Sequence, residues 1–113
     1  MSILIIGGDS RLSNFLYPLL KLQGYSVSKT TRKKKIYKNE LFLDLKDIEY
    51  FVIPDSVKWA VILGGVTSYD DCENNFDYAY DINCIKIPLL IKKFINNNIK
   101  TIFISSNVVF KNQ

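Results

Sequence analysis

The sequence predicts an α/β fold, a parallel sheet with helices on both faces. Three observations carry this. Short, continuous apolar runs recur at residues 3–6 (ILII), 59–63 (WAVIL) and 101–105 (TIFIS). Runs of that kind are strands covered on both faces, as parallel sheets cover theirs. Stretches with apolar residues at helical spacing separate the runs, as crossover connections require. The first and fourth strands each end in a double glycine, Gly7-Gly8 and Gly64-Gly65.

The elements follow in order. After residues 3–6, Asp9 or Ser10 is suited to cap a helix, since either side chain accepts from a free N–H of the first turn. Leu12, Phe15, Leu16, Leu19, Leu20 and Leu22 then recur at helical spacing. Pro18 lies inside this helix and is expected to bend or shorten it, and Gly24 closes it. Residues 25–30 alternate with β-favouring side chains and predict a second strand. Residues 40–43 (ELFL) predict a third, ending at Asp44, and residues 47–52 a helical turn stopped by Pro54. Residues 59–63 are the fourth strand. Residues 69–98 hold the longest helical region, with Asp70 and Asp71 suited to its first turn, Pro88 expected to interrupt it, and Asn96-Asn97-Asn98 at its end. Phe76, Tyr80, Ile87, Leu90, Ile91 and Phe94 predict one apolar face of it, and Ala79, Ile82, Ile85 and Leu89 a second. Residues 101–105 are the fifth strand. A first half of a doubly wound sheet has the strand order 3-2-1-4-5, and residues 1–113 are expected to form one such domain.

Composition limits the chemistry. Hydrophobic residues make up 48% and charged residues 23% of the 113 residues, which are values for a globular chain. There is no histidine, so the commonest general base and metal ligand is missing. Cys72 and Cys84 have no metal-ligand spacing, and no metal site is expected. Free thiols suit a reducing compartment. No leader pattern and no run near the roughly 18 apolar residues of a membrane span is present, so a cytoplasmic protein is expected. The net charge is +4, and much of the excess sits in Arg32-Lys33-Lys34-Lys35. A solvated loop and a seat for an anionic ligand both account for that run. No nucleic-acid motif or aromatic platform accompanies it, and neither nucleic acid nor membrane is an expected partner.

Ligands of doubly wound sheets sit at the carboxyl ends of the strands, where the strand order reverses. Here that crevice lies between Gly7-Gly8 and Gly64-Gly65. A dinucleotide fingerprint asks for three glycines there, for the turn, the pyrophosphate approach and helix packing. Residues 7–13 (GGDSRLS) keep the first, with Ser10 and Ser13 at the other two places. Phosphate binding at the helix N-terminus and a plain capped turn are both compatible with this.

Taken together, the segments ILIIGGDSRLS, Asp44-Leu45, ILGGVTSYDDCE, Asp81-Ile82-Asn83 and ISSNVVF fall in one order. That order resembles the N-terminal, Rossmann-like half of extended short-chain dehydrogenases/reductases. Within them it most resembles the sugar-nucleotide reductases and epimerases, including dTDP-4-dehydrorhamnose reductase. The resemblance implies cofactor-binding roles for Gly7, Ser10, Arg11 and Leu12 in the turn, and for Asp44 and Leu45 at the adenine. It implies that Gly64, Gly65 and Val66 line the cofactor, that Ser106 is the catalytic serine, and that Asn83 braces the site. It also implies a nucleotide-sugar substrate, and a homodimer through the long helix; packing of that helix within the domain's own core is the alternative. For the cofactor, residues 25–32 (YSVSKTTR) carry no acid where an NAD site places one on the ribose. Lys29 and Arg32 stand there instead, with Arg11 in the turn and Arg32 a match for a 2′-phosphate. NADP(H) over NAD(H) is the expectation.

The family's chemistry uses a tyrosine with a lysine four residues on, beyond the serine segment. Tyr37 begins no such pair, nor do Tyr69, Tyr78 and Tyr80, and the sequence ends seven residues after Ser106. The pair is expected to be absent and the chain to be incomplete for catalysis. A truncated oxidoreductase, a non-catalytic dinucleotide-binding or regulatory module, and a ligand-free interaction domain remain as alternatives.

Overall fold

The structure, a computed structural model, describes residues 2–63 and 76–104. Five strands, β1 (Ser2–Ile6), β2 (Ser26–Thr31), β3 (Glu40–Phe42), β4 (Val57–Ile62) and β5 (Lys100–Phe103), form one sheet. Its order is β3-β2-β1-β4-β5 and every pairing is parallel. The α/β Rossmann-like architecture and the strand order are those the sequence predicts. Strand ends differ from the sequence reading by one or two residues, where ladder pairing rather than apolar content sets the limit.

Helix α1 (Arg11–Leu22) connects β1 to β2. The Ser10 side chain caps it by accepting from the Ser13 N–H at 3.2 Å. The helix runs through Pro18 rather than ending there; the ring removes one intrahelical donor without stopping the element. Gly24, at φ 93°, ends it in the left-handed region, where a glycine carries no Cβ penalty. A 3-10 turn (Leu45–Tyr50) fills the β3–β4 connection.

From Phe76 to Asn96 the chain is helical throughout. It runs as α2 (Phe76–Tyr80), a π-helical segment (Asp81–Lys86) and α3 (Ile87–Asn96). Pro88 is the second residue of α3, which directly follows the π-helical segment, and the helix runs on through it rather than stopping there; like Pro18 it removes a donor without ending the element. Asn98, at φ 59°, reverses the chain into β5.

The buried residues of this region are Ala79, Ile82, Ile87, Leu90 and Phe94. They draw on both faces read from the sequence, because the wider π turn adds a residue between Ile82 and Ile87. An α-helical count therefore splits a single buried stripe into two.

That stripe packs with Leu4, Ile6, Ala60 and Ile62 of the sheet and with Ile48 and Phe51 before β4. Each large apolar side chain buried there contributes about 1.5–3 kcal/mol. The Lys93 ammonium donates to the Phe51 carbonyl, tying α3 to the segment entering β4. The alternate residues of β1 and β2, Ile3, Ile5 and Val27, are buried on the opposite face. There Lys29, which pairs with Ile5, sits over the Tyr17 ring of α1 at 4.8 Å.

Candidate functional site

The order of the sheet reverses between β1 and β4, so the crevice a ligand takes in this architecture opens beside the β1–α1 turn. Gly7 leaves the strand at φ 88°, which a residue with a Cβ adopts only under strain. The Gly7 N–H donates to Thr30 Oγ1 at 3.0 Å and the Gly8 N–H to the Thr30 carbonyl at 2.9 Å. A Cβ on Gly8 would lie 2.4 Å from that carbonyl oxygen and 2.8 Å from Lys29 Cβ. The second glycine is therefore required by contact with β2, inside the protein, and not by a ligand's approach.

The turn closes with the Ser10 N–H on the Gly7 carbonyl at 3.0 Å. Ser10 Oγ is used as a cap, yet its hydroxyl hydrogen remains able to donate to an anion. The N–H groups of Arg11 and Leu12 have no acceptor within their own helix and open the helix toward the crevice. Both of these side chains are exposed. Ser13 is fully buried, and its Oγ has no hydrogen-bond partner. Its place suits a small side chain, as the third glycine position requires, but offers nothing to the hydroxyl.

The carboxyl end of β2 holds a residue the sequence reading missed. The Asp9 carboxylate accepts from the Thr31 hydroxyl, 3.0 Å from each oxygen, and from the Arg32 N–H at 3.1 Å. The Thr31 hydroxyl in turn accepts from the Lys33 N–H at 3.1 Å. Thr31 is 2% exposed, whereas Asp9 and Arg32 face solvent. β2 itself carries no acid; the acid at its end comes from the turn, 22 residues earlier than its hydroxyl partner. Lys29 points to the α1 face and engages Tyr17, so of the two basic residues expected at this strand end only Arg32 is found there.

Asp44 follows β3 at the same end of the sheet. Its side chain caps the 3-10 turn by accepting from the Lys46 N–H at 3.2 Å. Leu45 beside it is partly buried against the core. Thr31 pairs with Phe42, and the Leu43 N–H donates to the Thr31 carbonyl at 3.0 Å. Asp44 and Leu45 therefore leave the sheet beside Thr31 and Arg32. Asn83 is half-buried within the π-helical segment. Gly64, Gly65, Val66 and Ser106 lie outside the described residues. Among the described residues, no group of three or more acidic, cysteine or histidine side chains is placed to hold a metal ion. Nor is any helix of them long and apolar enough to cross a membrane.

The tyrosine–lysine expectation needs correcting. Two pairs in the sequence do have the four-residue spacing, Tyr17 with Lys21 and Tyr25 with Lys29. On α1 the Lys21 ammonium donates to the Tyr17 hydroxyl at 3.4 Å. Tyr17 lies well along the helix from its crevice end, and Tyr25 precedes β2 at the opposite end of the sheet. The spacing is present, but neither pair stands at the crevice.

Solved structures share this architecture. A short-chain dehydrogenase/reductase superfamily protein from Agrobacterium tumefaciens with bound NAD superimposes with a TM-score of 0.74 at 18% identity, over 98% of this chain and 34% of that one. The fold is theirs. The UDP-glucose 4-epimerase of Thermotoga maritima with UDP-glucose matches with a TM-score of 0.73 at 20% identity, over 91% of this chain and 37% of that one. A human epimerase family protein with NADPH matches with a TM-score of 0.64 at 21% identity, over 84% of this chain and 32% of that one. The chain thus spans about a third of the length of these structures. No protein-family model and no curated protein matches the sequence.

Proposed function

We propose that the chain is the nicotinamide-dinucleotide-binding half of a short-chain dehydrogenase/reductase-type protein acting on nucleotide sugars. The observation that carries this reading is the β1–α1 turn. A left-handed Gly7, a helix opened by a serine cap, and the reversal of strand order coincide there. That geometry fits a pyrophosphate, with the Arg11 and Leu12 N–H groups and the Ser10 hydroxyl as donors. Structures of the same fold, bound to NAD, NADPH or UDP-glucose, support the ligand class.

In this reading Asp44 and Leu45 meet the adenine, and Gly64, Gly65 and Val66 contribute to binding the cofactor. Ser106 hydrogen-bonds the reacting oxygen of the sugar and so acts as the catalytic residue of this half. A bound dinucleotide supplies hydride transfer; the chain's own part is to hold and orient it. Residues 1–113 serve in this reading as the dinucleotide-binding part, since neither tyrosine–lysine pair among the described residues stands at the β1–α1 turn. The reading goes with a cytoplasmic location, and with a second copy docked on the exposed side of the long helix. The finer choice of NADP(H) has Arg11 and Arg32 in its favour and the Asp9 carboxylate against it.

Titration of the purified chain with NADH and NADPH, followed by nicotinamide fluorescence and by melting temperature, tests the reading. Saturable binding with a raised melting temperature is expected, since a ligand held only by the folded state stabilises it. A folded chain that binds neither nucleotide would refute it.

A further inference from the structure

Dinucleotide sites of this architecture read the adenosine ribose at the end of the second strand: an acid there accepts from a free 2′-hydroxyl, and an arginine nearby suits a 2′-phosphate. In this chain the donors suited to a 2′-phosphate are all present at that place. They are the Thr31 hydroxyl, the Arg32 N–H and the exposed Arg32 guanidinium. Asp9 already takes the first two, at 3.0 Å and 3.1 Å. Its carboxylate fills the seat that a 2′-phosphate would need.

We propose that Asp9 is the ribose-reading residue of this chain and that it selects NAD(H) over NADP(H). The proposal rests on the dinucleotide reading above. A 2′-phosphate entering the seat meets a like charge and loses two donors to it, and Arg32 alone is left to hold it. A ribose with a free 2′-hydroxyl meets the opposite situation. A carboxylate offers about four acceptor positions. Thr31 and Arg32 use only part of that capacity, and Asp9 faces solvent with the remainder.

The turn also holds Asp9 in register with β2. Gly7 and Gly8 are each hydrogen-bonded to Thr30, which holds the backbone leading into Asp9 against β2, and the Thr31 hydroxyl and Arg32 N–H hold its carboxylate. The basic residues after β2, read alone, argue for NADP(H); the acid brought over from the turn reverses that.

The test is to titrate the wild-type chain, Asp9→Asn and Asp9→Ala with NADH and NADPH by nicotinamide fluorescence, with circular dichroism to show that each is folded. Asparagine keeps the shape and removes the charge, so it serves if alanine loosens the turn. The wild type is expected to bind NADH more tightly. Both variants are expected to shift the ratio of affinities toward NADPH by about tenfold or more, the worth of a charge-assisted hydrogen bond. A wild type that prefers NADPH, or a ratio unchanged in both variants, overturns the proposal and leaves dinucleotide binding standing. A folded wild type that binds neither nucleotide overturns the dinucleotide reading and this proposal with it.

Discussion

Ser13 shows how a glycine position is refilled. It is fully buried between α1 and the sheet, so its Cβ fits, but its hydroxyl has no partner. A buried hydroxyl left unpaired costs about 1–3 kcal/mol. Ser13→Ala is therefore expected to stabilise the chain by about 1 kcal/mol, read as a later denaturant midpoint with an unchanged slope. A less stable variant would mean that the hydroxyl makes a bond in the folded chain. The glycine spacing was legible in the sequence to this extent: it marked Gly7, Ser10 and Ser13 as the positions of a turn and its packing. The role of Gly8 was not legible, because the demand on it comes from the Thr30 carbonyl of another strand. Asp9 was missed for the same reason. Only the folded turn brings it against Thr31 and Arg32.

Among the elements, the strands were readable from their apolar or β-favouring composition, although the run of β5, expected to be covered on both faces, is largely exposed, and the order 3-2-1-4-5 follows from crossover rules. The register of the long helix was not readable. A π turn between Ile82 and Ile87 adds one residue and rotates all that follows, and no spacing rule contains it. Once it is counted, Ala79, Ile82, Ile87, Leu90 and Phe94 form the buried stripe. Phe76, Tyr80, Ile85 and Leu89 then form an exposed one, with the Phe76 and Tyr80 rings 6.1 Å apart. Large contiguous apolar patches of surface often mark association sites. The proposed homodimer uses this stripe: the chain is expected to run as a dimer in light scattering, and Leu89→Glu as a folded monomer. A wild-type chain that stays monomeric at high concentration would remove the dimer.

At the scale of the whole molecule the fold is lopsided. The large core lies on the face of α3 and the π-helical segment. On the other face α1 fully buries only Ser13, and Leu12, Phe15, Leu19 and Leu22 remain exposed at a spacing of three and four residues. Ile102, Phe103 and Ile104 are exposed at the β5 edge. Burial is thus uneven between the faces, although Ile3, Ile5 and Val27 are buried on the α1 side, and the described residues of the candidate site come from the ends of β1, β2 and β3. The strand order, which in this architecture sets where a ligand crevice lies, was legible in the sequence. The chemistry of that crevice depends on which side chains the strand ends bring together, and the sequence does not display that.

The measurement that tests the central claim most directly is a two-dimensional amide NMR titration of the isotopically labelled chain with NADH. The shifts are expected to concentrate at residues 7–13, at Asp9's neighbours Thr31 and Arg32, and at Asp44 and Leu45. Saturable shifts confined to the exposed face of α1 or to the long helix, with residues 7–13 unmoved, would contradict the placement of the dinucleotide at the β1–α1 turn.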